Sequence, residues 1–185
     1  TGAGYKAEGD FYHNGDKREA REVHHLLTIG ALNNNAHLDG EKIIGDPTEA
    51  SLLVSARKAG LVQQELEKKY PRIDEILFDS QRKRMSTIHL VNKKPVLYTK
   101  GAPDSIVHLC DRMYENGSVR KLTEKDKKNI LEVNQKFSSA ALRVLGFAYK
   151  EFSSGKTGKE KRKYTEADEK DLIFVGLQGM IDPPR

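Results

Sequence analysis

Residues 72–101, RIDEILFDSQRKRMSTIHLVNKKPVLYTKG, constrain the fold of this chain more than any other stretch. Three short segments rich in Ile, Val, Leu, Thr and Tyr, at 72–78, 84–91 and 95–99, follow one another with only a few polar residues between them. Segments of that length and composition read as strands, and strands joined by such short connections pair antiparallel. Residues Asn92–Lys94 supply the hairpin connection between the second and third. Pro71 marks where this pattern begins.

Helical signals stand on either side. Before Pro71, HNGD at 13–16 is a hairpin turn, because Asn-Gly tolerates positive φ. Val23, Leu26, Leu27, Gly30 and Ala31 recur with a helical period within 21–34. GDPTEASLLVSARKAG (45–60) predicts a helix capped by Asp46, with Pro47 in the first turn, Glu49 in the capping-box position and Gly60 as the stop. A second helix runs on from 61 to Pro71. Beyond the strands, 103–110 predicts a helix, Asn116-Gly117-Ser118 a turn, and 123–142 a long helix capped by Thr123 with Asp126 three residues on. Strands at 143–152 and 171–180 complete the pattern, and 153–170, almost free of apolar residues, is expected to be a mobile surface loop. The fold class is α+β: a mainly antiparallel sheet with helices packed against it.

With 185 residues, 37% of them hydrophobic and 32% charged, the chain can bury one real core and is read as a single domain, 1–185. A net charge of +5 suits anionic partners without choosing among them. Cys110 is the sole cysteine, so an internal disulfide is excluded and a reducing compartment fits. No apolar run approaches the roughly 20 residues that span a bilayer, and no secretory signal is present. The opening TGAGYKAEGD, without methionine, and the close at MIDPPR read as the ends of a piece of something longer.

Several motifs that suggest chemistry are weak. Gly155-Lys156-Thr157 resembles the end of a phosphate-binding loop, but the required glycine five residues earlier is Lys150. Lys159, Lys161, Arg162 and Lys163 could bind nucleic-acid phosphates, although Glu160, Glu166, Asp168 and Glu169 cancel much of their field. A nucleic-acid-binding module using 159–163 is the alternative function, and a self-contained hydrolase a third. The six histidines show no metal-ligand spacing; His24 and His25 are adjacent, and His89 and His108 read as packing residues.

Three stretches carry features that local structure does not require. LFDSQRKRMS (77–86) leaves a strand with Phe78 and then Arg82, Lys83 and Arg84. YTKGAPD sets Lys100 beside Gly101, and GDPTEA sets Glu49 in a helix's first turn. Singly, each has a structural explanation in core packing, a solvated charge or capping. Together they supply a ring platform, cations for phosphates and an acceptor for an exocyclic amine, the needs of an adenine nucleotide.

GDPTEASLL, FDSQRKRMS, YTKGAPD, ALRVLGFAYK and GMIDPPR occur in the order and rough spacing of the nucleotide-binding domain of P-type cation-transporting ATPases, and most resemble the calcium-pump branch. The resemblance covers the whole chain and implies a twisted, mainly antiparallel sheet with helices on its faces. Segments 1–10 and 181–185 resemble the hinges to the phosphorylation domain. By resemblance, Phe78 stacks on adenine, Lys100 lines the base of the pocket with Gly101 giving room, and Glu49 and Thr48 lie near the adenine amino group. Lys83 sits by the phosphates, Arg143 reaches towards ribose and phosphates, and Leu145 packs on the base. Many calcium pumps carry an arginine where this chain has Ser80, so either the phosphate contacts are weaker here or Arg82 or Arg84 substitutes for it.

The resemblance further implies Mg·ATP as ligand and the phosphorylation and actuator domains of the same pump as partners. It implies a monomeric cytoplasmic domain of an integral membrane protein, with no nucleic-acid partner and no membrane insertion of its own; the compact insertions point to a bacterial host. The phosphorylated aspartate in its Asp-Lys-Thr-Gly-Thr context is not in this sequence, so the chain alone should bind nucleotide without turnover. Affinity on the order of 0.1 to several mM is expected from stacking and a partial set of phosphate contacts.

Overall fold

A computed structural model describes residues 4–40, 42–153 and 162–181 of the chain. By contact the chain divides into two compact units, Thr1–Lys69 and Tyr70–Arg185.

The first unit opens with a hairpin of β1 (Phe11–His13) and β2 (Asp16–Arg18), which Asn14 and Gly15 turn at φ of 53° and 89°. This is the predicted Asn-Gly turn. A 3-10 turn at Ala20–Val23 leads into α1 (His24–Leu32), in which six consecutive residues, Leu27 to Leu32, are buried. A helix apolar on all sides must be covered on all sides; α1 packs on α2 (Pro47–Lys58) and α3 (Gln63–Lys69). Between α1 and α2 lies a small hairpin of β3 (His37–Asp39) and β4 (Lys42–Ile44), too short to show as alternation in the sequence.

The second unit is a seven-stranded sheet. Its strands are β5 (Arg72–Asp79), β6 (Arg84–Val91), β7 (Lys94–Gly101), β8 (Cys110–Glu115), β9 (Ser118–Lys121), β10 (Leu142–Glu151) and β11 (Leu172–Ile181). The spatial order is β5-β6-β7-β10-β11-β8-β9, and every pairing is antiparallel except β8 with β11. The expected α+β sheet, mainly antiparallel, is therefore what forms. Two helices pack on it: α4 (Pro103–His108) and α5 (Glu124–Ser139). Thr123 and Asp126 close the predicted capping box of α5 reciprocally, and Asp126 also accepts from Arg120. Those bonds, to Arg120 first and then to Thr123, hold the Asp126 carboxyl well below the usual carboxylate range.

Alternation assigns the two sheet faces. Ile76, Ile88, Leu97 and Ala148 join Ile106, Val107, Leu122 and Phe174 in the core. The opposite face carries Met85, Lys100 and Phe147 in one cross-strand row and Thr87, Tyr98 and Tyr149 in the next.

In the second unit sequence and structure differ in three places. The helix expected over 103–110 stops at His108, and Cys110 starts β8 instead. Its buried thiol donates to the Ile106 carbonyl oxygen, and burial pushes its pKa up to about 12. The Asn116–Ser118 turn joins two strands, β8 and β9, whose charged residues mask any alternation. The third correction concerns 153–170. Of this expected mobile loop, 154–161 lie outside the described residues, but 162–170 are anchored. Tyr164 is buried with its ring 5.2 Å from that of Phe152, and a 3-10 turn forms at Glu166–Asp168. Glu169 is only 1% exposed. Two buried side chains suffice to tie down a segment whose average composition is polar.

Candidate functional site

The turn between β5 and β6 is built around Asp79. Its carboxylate accepts the backbone N–H groups of Gln81 and Arg82 at 2.9 and 2.8 Å, and its carbonyl accepts that of Lys83 at 2.7 Å. Lys83 leaves the turn in the left-handed region, at φ 53°. The ladder slips by one residue here: Ile76 pairs with Ser86 and Asp79 with Arg84, so Leu77 and Phe78 together oppose Met85. A bulge of this kind re-aims side chains at a strand end, and it leaves Phe78 64% exposed. An exposed phenylalanine on an edge strand is not a core residue.

Met85 pairs across β7 with Lys100, and Lys100 pairs across β10 with Phe147. With strands about 4.8 Å apart, the Phe78 and Lys100 backbones are separated by about 10 Å. Lys100 is 6% exposed, so it is not a solvated surface charge. On β10, Leu145 and Arg143 lie two and four residues from Phe147 and so on the same face, Leu145 half-buried and Arg143 exposed. The register thus brings Phe78, Lys100, Leu145 and Arg143 to one face of the sheet, with Lys83 at its edge. Among the described residues Lys83 has no ion-pair partner.

Gly101 has a packing reason of its own. A Cβ there would overlap the Lys83 carbonyl oxygen and lie 2.6 Å from the Arg84 Cβ. The missing side chain lets β7 close on the turn that carries Lys83, and the Ala102 N–H donates to that same carbonyl at 3.0 Å.

Thr48 and Glu49 belong to the first unit, in the first turn of α2. The Asp46 carboxylate accepts both of their N–H groups, at 2.8 and 3.1 Å. The Glu49 carboxylate accepts the Asn35 N–H at 3.1 Å, and its carbonyl accepts from Asn34 Nδ2 at 2.9 Å. Glu49 therefore orders the chain after α1 rather than closing a reciprocal box with Asp46. A cleft of about 360 Å³ in this unit, lined by Lys17, Arg18, Arg21 and Lys58 among others, contains none of the candidate residues.

Residues 22–185 match the family model described as P-type ATPase, cytoplasmic domain N. The chain belongs to the P-type ATPase N-domain family. It is 42% identical over 160 residues to "Calcium-transporting ATPase 1" of Bacillus cereus, covering 86% of this chain and 17% of that protein. It is 38% identical over 193 residues to "Calcium-transporting ATPase" of Bacillus subtilis, covering all of this chain and 21% of the relative. "Cation-transporting ATPase pma1" of Synechocystis is 34% identical over 203 residues. The chain spans about a fifth of the length of these relatives. Among the described residues no helix is long and apolar enough to cross a membrane.

In this N domain the two arginines that could replace one at Ser80 are already engaged. Arg82 Nη1 and Arg84 Nε donate to the same Glu169 oxygen at 2.6 and 2.7 Å. Of the basic cluster at 159–163, Lys159 and Lys161 lie outside the described residues, as does Gly155-Lys156-Thr157. Arg162 pairs with Asp168 and lies over the Phe152 and Tyr164 rings. Sequence reasoning missed Glu169. It saw one acid among several in a polar segment, and no local pattern marks a carboxylate whose partners lie more than eighty residues away.

Proposed function

We propose that this N domain binds Mg·ATP, with adenine on the sheet face that carries Phe78, Lys100 and Leu145. Lys83 and Arg143 take the phosphate and ribose end, and Gly101, whose bare Cα faces the core side with Arg84, serves the site by letting β7 close on the turn that carries Lys83. The nucleotide would be presented to a phosphorylatable aspartate in another domain of a calcium-transporting membrane pump, where in-line transfer of the γ-phosphoryl group takes place. Phosphorylation and actuator domains of the same chain are the implied partners. Magnesium would arrive with the phosphates it neutralises.

The observation that carries this reading is the pairing of a 64%-exposed phenyl ring with a lysine that is 6% exposed on the same sheet face. Exposed aromatic area costs free energy unless something covers it, and a purine face is a flat cover worth about 1–3 kcal/mol. Calorimetric titration with Mg·ATP tests the reading. Sub-millimolar to millimolar binding is expected in the parent chain, weakened about ten-fold or more by Phe78→Ala. Equal affinity in the two proteins would remove Phe78 from the site.

A further inference from the structure

Glu169 is the most deeply buried carboxylate among the described residues, and the site described above makes no use of it. Its side chain is fully enclosed. One oxygen accepts from Arg82 Nη1 and Arg84 Nε; the other accepts from Ser86 Oγ at 2.7 Å, and Ser86 in turn shares a 2.8 Å hydrogen bond with Thr99. Every one of these partners belongs to the β5–β6 turn or to the strands beside it. Ser86, Thr99 and Arg84 lie on the core face, opposite Lys100. Glu169 therefore cannot touch a ligand on the Lys100 face.

What it can do is fix the turn from behind. Arg82 and Arg84 flank Lys83, which sits at φ 53°. Arg82 Nη2 also donates to the Leu77 carbonyl at 2.6 Å, tying the clamp to the bulge that exposes Phe78. Arg84 Nη1 reaches the Arg82 carbonyl at 3.2 Å, and Ser105 Oγ donates to that same carbonyl at 3.1 Å. Two guanidinium groups held side by side near a third cation would repel one another. A single enclosed carboxylate between two of them makes the arrangement tolerable, whereas an uncompensated buried charge is strongly unfavourable. The Glu166 carboxylate, at 3.2 Å from Arg82 Nε, is largely exposed and adds little.

We infer that Glu169 is a positioning residue for nucleotide binding. Through Arg82 and Arg84 it sets the turn that places Lys83 and the Phe78 ring, and it links the segment before β11 to the ligand face of the sheet. This rests on the proposed adenine site.

Three variants test it: Glu169→Gln, which keeps the shape and removes the charge; Arg84→Gln, a milder change on the core face; and Leu122→Ala, which weakens the core without touching the clamp. Mg·ATP affinity is measured by titration, and amide hydrogen exchange at Arg82 and Lys83 is followed in the nucleotide-free protein. Glu169→Gln should weaken Mg·ATP about five- to ten-fold and Arg84→Gln about two- to five-fold, both with faster exchange at the turn. Leu122→Ala should leave affinity and turn exchange at parental values despite a lower unfolding midpoint. If Glu169→Gln fails to fold, Arg84→Gln carries the test. Parental affinity and parental exchange in the clamp variants would overturn the inference, as would equal losses in Leu122→Ala. A parent chain that binds no Mg·ATP, with faster turn exchange in the clamp variants, would discard the adenine site and keep only the clamp.

Discussion

The turn before β6 and the start of α2 use the same local device and are supported differently. Asp46 accepts two backbone N–H groups, from Thr48 and Glu49; Asp79 accepts two, from Gln81 and Arg82. In α2 the chain continues as a helix, and each further hydrogen bond reinforces the start. In the hairpin the chain must reverse, with Lys83 in a left-handed conformation that costs free energy for a residue with a side chain. There Glu169, more than eighty residues away, supplies what the backbone cannot. A turn that continues into a helix can stand on its sequence neighbours, while one that ends a strand on a sheet edge borrows support from a distance.

This contrast predicts where each region breaks. Gly101→Ala should do the most damage, because its Cβ must displace the Lys83 carbonyl and the Arg84 side chain together. A loss of about 2–3 kcal/mol in urea unfolding is expected, with weaker Mg·ATP binding besides. Parental stability would mean that the strands separate there at no cost. Lys100→Met keeps most of the volume and removes the charge. Nucleotide affinity should fall by about 1.5 kcal/mol while the unfolding midpoint holds, and an unfolded variant would make Lys100 a structural residue instead.

In the first unit the effects should be local and smaller. Asp46→Ala should cost about 1 kcal/mol, with Asp46→Asn nearly silent, since either side chain can accept the Thr48 and Glu49 N–H groups. The smallest effect expected is a pH dependence from His25. Burial, and then the neighbouring His24, lower its pKa, so the unfolded chain takes up the proton first, near pH 6.5. The stability is present above that pH and declines as pH falls below it towards the lowered folded value. Thermal midpoints at pH 7.5 and 5.5 should differ less in His25→Asn than in the parent.

Where local chemistry decided the structure, the sequence was legible. Asn14-Gly15, Asp46-Pro47 and Thr123 with Asp126 each act within three or four residues, and each formed the predicted turn or cap. The strands 72–101 declared themselves because β-branched and aromatic residues cluster between short polar turns. The candidate site was partly legible for the same reason: Phe78 and Lys100 stand at the ends of recognisable strands. Their common sheet face was not, because it depends on the one-residue slip at Leu77–Phe78, which only the ladder reveals. Nor was the anchoring of 162–170, where Tyr164 and Glu169 find partners remote in sequence. A charged residue reads as exposed until the groups that enclose it are known.

Amide chemical-shift mapping of the labelled chain during titration with Mg·ATP asks most directly whether the sheet face binds nucleotide. The account predicts saturable shifts that cluster at Phe78, Lys83, Lys100 and Leu145. Shifts confined to Arg162, Lys163 and their surroundings, or none at millimolar nucleotide, would contradict it.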